Sequence, residues 1–386
     1  MMRVTYSRFV SVLFLGMILV YFSQGALYPQ GSILSVGSLL LLLGLSSVYS
    51  PFAVLNSSGY ILVKIWFLLF LINVIGYLIT FNYFSEMNFG QMKVIGFFFL
   101  SFFTSFHLVK KGALKEQYLL ILFLMMLPIV FLNFQLNKYN VLNARISSRE
   151  EVVNNLAYMF TVMIPYVFLI KRRVFAVVTL LVILLIVIQG AKRGAILVSF
   201  VGPLVYAYYV LFRMKNKNSI YTYFFSFFIM MGLTMFLYYH MTSDEFLINR
   251  MLAISEGGSG RDRIYKILLF EWYNSDSIIN YVFGFGFAST VFKSGSGHLA
   301  HNDWLELLTN FGLVGFFLYL SLFFFMIKMA LEFKVDKYKY MFLCLIAMWF
   351  FTTLFSMVYT SYSGVFYSVL FGFLVAKKHD MVAKND

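Results

Sequence analysis

Hydrophobic residues fall into twelve runs, near 9–23, 33–49, 60–80, 94–109, 117–133, 152–170, 174–189, 195–212, 220–240, 304–327, 338–357 and 363–376. Most approach the ~20 residues that a helix needs to cross the hydrocarbon core of a bilayer. None alternates with the two-residue period of a half-buried strand. The pattern predicts an all-α polytopic membrane protein with about 12 transmembrane helices. Residues 1–240 are expected to form a nine-span N-terminal bundle and 304–376 three C-terminal spans, with 377–386 a cytoplasmic tail. The polar stretch between the bundles, 241–303, is much longer than the ~2–8 residues of an ordinary helix–helix connection and is expected to carry function. Its Ile264 to Trp272 segment alternates apolar and charged residues at helical spacing, as in a short amphipathic helix at a membrane surface.

Composition agrees with this reading and excludes a water-soluble globular enzyme. Of 386 residues, 61% are hydrophobic and only 12% charged, about half the ~25% of an average soluble domain. The net charge of +14 would point to nucleic acid in a soluble protein, but here its distribution reports orientation. With both termini in the cytoplasm, the inner loops hold 19 basic and 5 acidic residues and the outer loops 11 of each, so the whole excess lies inside. No nucleic-acid partner is expected. Arg3 and Arg8 precede the first run as in a signal peptide, but eleven more runs follow, and an uncleaved first span is expected. The single cysteine, Cys344, lies in an apolar run, which excludes an internal disulfide and a cysteine-based zinc site.

The informative residues are polar groups on the outer side. Lys192 and Arg193 sit in a short turn between two apolar runs, where a basic side chain either snorkels to the headgroups or binds an anion. Arg193 is followed by Gly194 and Ala195, small residues that permit close approach. Arg261 and Arg263 open the amphipathic segment, with Asp262 between them as a candidate ion-pair partner. Guanidinium groups present a planar fork of donors suited to phosphate oxygens. His301 lies at the mouth of the tenth run, and an imidazole with a pKa near 6.5 is suited to take a proton from a hydroxyl. Asn302 and Asp303 are candidate caps of the following helix. Asp303 and Glu306 also suit its positive end and are candidate auxiliary bases. His298 is a weaker candidate, and with no third ligand evident no metal site and no cofactor is expected. Gly284-Phe-Gly286 and Gly312-Leu-Val-Gly315 read as turn and packing glycines, because the strand–loop–helix setting of a phosphate loop is absent.

Together these motifs resemble the O-antigen ligase/polymerase family. The matching segments are Gln189-Gly-Ala-Lys-Arg193-Gly-Ala-Ile, Gly258-Ser-Gly-Arg261 with Tyr265, Phe283-Gly-Phe-Gly286, and His301-Asn-Asp-Trp304 running on to Gly312-Leu-Val-Gly315. They cover roughly 185–325, in the family's order and spacing; elsewhere the agreement is in hydropathy alone. The resemblance implies a membrane-embedded glycosyltransferase of the C superclass in the bacterial inner membrane, with its active site on the outer face. Its donor would be a polyprenyl-pyrophosphate-linked glycan. Arg193 and Arg261 would hold the pyrophosphate and His301 would serve the acceptor hydroxyl; Lys192 and Arg263 join the pyrophosphate set from the residue reading. The acceptor would be a second lipid-linked repeat for a polymerase, with a chain-length regulator as candidate partner, or lipid A-core for a ligase. Polymerase is favoured only because polymerases are the more numerous members. A lipid-linked oligosaccharide flippase is the alternative from another class. It should carry ionisable residues within its spans, whereas nearly all charges here sit at span ends, Lys64 being the main exception.

Overall fold

In a computed structural model the chain is described over residues 2–55, 57, 60–80, 86–148, 154–213, 261–295 and 297–382, together with Gly232 and Tyr239. Helices dominate, and no strand is present among the described residues beyond one isolated bridge, Gln24 to Tyr28. The long helices are α1 (Met2–Phe22), α2 (Ile33–Leu55), α3 (Ile61–Ile79), α4 (Glu86–Lys110) and α5 (Glu116–Ser148). The sixth apolar run breaks into α6 (Ala157–Thr161) and a 3₁₀ helix (Ile164–Leu169), with Pro165 in the first turn of the second piece, where its missing N–H costs nothing. There follow α7 (Arg173–Gln189) and α8 (Arg193–Tyr208), the latter running into a π turn. The ninth expected span, 220–240, lies outside the described residues apart from Gly232 and Tyr239, as does the Gly-rich stretch at 256–260.

The segment that precedes the last three long helices contains α9 (Arg261–Tyr273), α10 (Ile278–Phe283) and α11 (Ser289–Lys293). The chain then enters α12 (Asp303–Leu331), α13 (Asp336–Phe355) and α14 (Gly364–Val382). Among the described residues, seven helices are long and apolar enough to cross a membrane, and three shorter apolar helices accompany them. Apolar side chains also cover the outside of the bundle. Leu40, Leu41, Leu124, Met125, Val178, Val182, Phe317 and Phe324 are all exposed, an apolar perimeter that water does not tolerate and lipid does.

One core cluster takes residues from both the N-terminal and the C-terminal runs. At its centre is α14, buried on every side from Val365 to Ala376 and packed along α4. The two backbones touch: a methyl on Gly372 would fall 2.5 Å from the carbonyl oxygen of Phe102. Ser105 Oγ donates to the carbonyl of Val369 at 2.7 Å, and Ser368 Oγ to that of Phe98. Small residues and hydroxyls at helix contacts are the expected adhesive where lipid provides no hydrophobic drive.

The two ends of the bundle differ. At one end Arg213 Nε donates to Tyr340 OH (2.8 Å), Lys337 pairs with Glu116, and Lys378 with Glu332 at 3.7 Å. At the other end the last turns of α7 and α13 meet the first turns of α8 and α12. From Tyr340 to Phe355 along α13 is about 22 Å of helix, so Arg213 and Arg261, bonded near those two residues, lie at opposite ends.

Candidate active site

The second end of the bundle holds a cavity of about 520 Å³, within the roughly 300–1,000 Å³ of small-molecule sites. Its wall takes Val94 from α4, residues 155–162 around α6, Lys192 from the α7–α8 turn, Arg261 from α9, His301, and residues 352–364 from α13 into α14. Lys192, Arg261 and His301, distant in sequence, therefore share one space. The others divide. Arg193 is half-buried as the first residue of α8 and does not line the cavity, nor do Arg263 and His298, which are exposed. Asn302, Asp303 and Glu306 also stand outside the lining, each with a defined task behind it.

Those tasks fix His301. Its backbone is left-handed (φ 55°), a conformation uncommon outside glycine and kept only where the surroundings over-determine it. On one side, Ala300 N–H donates to Glu306 Oε1 at 2.5 Å. On the other, Asn302 Oδ1 caps α12 by accepting from Trp304 N and Leu305 N, at 3.0 and 3.1 Å. Glu306 is fully buried and also accepts from Thr290 Oγ1 (2.6 Å) and Asn310 Nδ2 (3.4 Å). Helix-dipole compensation, the sequence-level explanation for Glu306 and Asp303, is thus only part of their role. Each carboxyl holds a loop.

Asp303 holds the α13–α14 loop. Fully buried at the start of α12, it accepts from Val358 N–H at both oxygens (3.1 Å each) and from Tyr319 OH (2.9 Å), whose oxygen in turn accepts from Trp349 Nε1. Two further bonds secure the start of that loop: Arg261 Nη1 donates to Phe355 O at 2.5 Å and Asn302 Nδ2 to Leu354 O at 3.4 Å. Arg261 therefore both lines the cavity and occupies a carbonyl at the end of α13. Gly364 ends the loop, since any side chain there would collide with the Val358 carbonyl.

The glycine motifs do interlocking work. At Gly312 α12 breaks (φ 60°, ψ −152°), freeing the carbonyls of Thr309 and Asn310. Phe285 N–H and Gly286 N–H supply the missing donors, at 2.8 and 3.0 Å. A methyl on Gly312 would lie 2.5 Å from Val282 C, and one on Gly284 would strike the Asn310 backbone. The 278–293 segment is therefore clasped into a broken apolar helix. Leu268 of α9, with Ile264 and Tyr265, packs beside it on Ala300 and Leu305.

Electrostatics follow from the arrangement. Burial lowers the pKa of His301 to about 4, and the neighbouring charges of Arg261 and Lys192 push the same way, so its imidazole is neutral at pH 7. Among the described residues, no acidic side chain lines the cavity. The space can accept an anion beside two cations and offers a neutral imidazole as proton acceptor. The largest omission of the sequence reading is the loop 356–363. Its only signal was its hydroxyl content, Ser356-Met-Val-Tyr-Thr-Ser-Tyr-Ser363 between two apolar runs. Compared with protein-family models and with curated proteins, the chain matches none.

Proposed function

We propose that the protein is a membrane glycosyltransferase that moves a glycan from a polyprenyl pyrophosphate to the hydroxyl of a second lipid-linked repeat, a surface-polysaccharide polymerase of the kind its motifs resemble. The observation that carries this reading is the convergence of Lys192, Arg261 and His301 on one cavity, with no acidic lining residue among those described. The leaving group is a diphosphate, so the main task is to stabilise developing negative charge. Preorganised cations away from bulk water do this, one donor being worth roughly 3 kcal/mol. In this reading Lys192 and Arg261 hold the diphosphate, and Arg193, next in the chain, adds to the local positive potential. His301 takes the proton of the acceptor hydroxyl while its oxygen bonds to the anomeric carbon. The bond from that carbon to the phosphate oxygen breaks, and polyprenyl pyrophosphate leaves with the electron pair.

The depressed pKa of His301 fits a coupled cycle. With the site empty, burial and, after it, the cations keep the imidazole neutral and weakly basic; a bound diphosphate offsets the cationic share, and the ring becomes a better base once donor is present. Twelve spans with both termini in the cytoplasm complete the proposal. One crossing is then needed between Arg213 and Arg261, which agrees with their positions at opposite ends. The site end becomes the outer face of the bacterial inner membrane, and the exposed apolar residues Phe270, Tyr273, Ile278 and Ile279 of the outer segment sit at the headgroups.

Purified protein with a polyprenyl-pyrophosphate oligosaccharide as sole substrate tests the reading. Lipid-linked oligomers should form, and Arg261→Ala and His301→Ala should each lose most of the product. Near-normal transfer by His301→Ala would remove the base assignment. Deletion of the gene separates polymerase from ligase: a polymerase loss leaves single repeats on the final carrier, whereas long chains trapped on the polyprenyl lipid would make the protein a ligase.

A further inference from the structure

We propose that the α13–α14 loop, residues 356–363, is the subsite for an uncharged sugar ring of the acceptor, an inference that rests on the glycan-transfer reading. Ser356, Thr360, Ser361, Tyr362 and Ser363 all line the cavity that holds Lys192 and Arg261, and the loop carries no charged residue. Hydroxyl groups both donate and accept, as do the hydroxyls of a sugar, so a wall of them suits a polyol better than an anion or a cation. Thr360 Oγ1 is buried without a hydrogen-bond partner among the described residues. Such a group is costly unless something satisfies it, and a rotation of the Thr360 side chain, which lines the cavity, brings its hydroxyl to a ligand there. Ser361 and Ser363 hold their hydroxyl oxygens 2.8 Å apart, a pair that one sugar hydroxyl can bridge.

The loop is also held as a preformed surface. Val358 N–H is bound by the Asp303 carboxyl, Ser361 N–H by the Val358 carbonyl (3.1 Å), and Gly364 N–H by the Ser361 carbonyl (3.0 Å). Fixed donors and acceptors spare a ligand the cost of ordering them. Charge decides the sugar class. The lining cations serve the diphosphate, and a uronic acid in the acceptor position would compete for them. With no lining carboxylate among the described residues, an amino sugar with a free amine finds no counter-ion there either. The subsite selects neutral rings, free or N-acetylated.

Ligand-observed saturation-transfer NMR on the full chain in lipid nanodiscs tests this without requiring turnover, with lactose and diacetylchitobiose as neutral probes, cellobiouronic acid as the acidic one, and inorganic pyrophosphate in a separate titration. With inorganic pyrophosphate saturating the lining cations, wild-type protein should bind the neutral disaccharides saturably and more tightly than the acidic one. Thr360→Val and Ser361→Ala should each weaken that binding about five- to tenfold, Thr360→Ser should restore it, and neither loss should alter pyrophosphate binding. Lys192→Ala should do the reverse, weakening pyrophosphate and leaving the neutral sugars within about twofold. No saturable neutral-sugar binding by the wild type, or equal binding by both loop variants, would overturn the subsite. Pyrophosphate binding indifferent to Lys192→Ala would instead count against the diphosphate reading and leave the sugar result to stand by itself.

Discussion

Replacing Asp303 by Ala should disorder the loop over the cavity while leaving the membrane bundle folded. The substitution strips an acceptor from two buried donors, Val358 N–H and Tyr319 OH. A buried donor without a partner costs about 1–3 kcal/mol, so the total loss should be about 2–6 kcal/mol. The Val358 share acts on the loop, and at 1.4 kcal/mol per decade it should raise exchange of that amide by roughly fivefold to hundredfold. Hydrogen–deuterium exchange in nanodiscs reads this directly. Peptides covering 356–363 should exchange faster in Asp303→Ala, whereas those from the buried stretch of α14, Val365 to Ala376, should keep their protection. Asp303→Asn, which retains one acceptor oxygen, should fall between. If the loop peptides exchange alike in wild type and Asp303→Ala, Asp303 does not hold the loop and its burial needs another explanation.

Other outcomes follow from single contacts. Gly194→Ala puts a methyl onto the Tyr158 hydroxyl and 2.9 Å from Phe355 Cβ; it should cost about 1–3 kcal/mol in thermal unfolding, with partial recovery when Tyr158→Phe is added. His301 has a pKa of about 4 in the folded chain against about 6.5 unfolded. Between those values the unfolded chain binds the extra proton, so stability should fall as pH drops from 6.5 to 4. His301→Asn, whose side chain tolerates the left-handed backbone, should flatten that slope in melting curves. Gly312→Ala should destabilise by about 2–6 kcal/mol through strain and collision, while Gly16→Ala, with nothing within 4 Å of the new methyl, should be neutral or stabilising by up to about 1 kcal/mol. In a Cys344→Ser background, His298→Cys should react with an impermeant thiol reagent in intact spheroplasts and Lys111→Cys only after permeabilisation; the opposite pattern would reverse the proposed sidedness.

Hydropathy made the helices legible because each run satisfies its own backbone, and helix ends such as Gln189, Asp303 and Phe355 fall within a few residues of the expected boundaries. Charge at those ends was equally readable: Lys192, Arg261 and His301 stand out in an apolar chain. What stayed hidden depends on contacts between distant positions. Nothing around Asp303 announces that its partner is a backbone amide 55 residues later, since every residue has such an amide. The glycines at 284 and 312 looked like separate turn residues, and only their contact shows one fitted to the other. Arg193 looked the stronger cation by chemistry, yet it is Lys192, following the left-handed Ala191 (φ 48°), that reaches the cavity. A three-residue turn sets that choice, and residue type alone does not encode it.

The break in α12 has a consequence for how the protein is made. Phe285 and Gly286 leave the ribosome before Gly312, yet their N–H groups are the donors that close the gap around Thr309 and Asn310. Unpaired carbonyls cost several kcal/mol in hydrocarbon, so α12 cannot settle at full depth until the preceding segment has taken up its turn, which on the proposed sidedness follows its translocation. Insertion of this helix thereby becomes conditional on correct folding of the 281–286 turn. A chain with that turn damaged should stall as a partly inserted protein open to proteolysis, and the quality of the segment is checked at the moment the last three helices assemble.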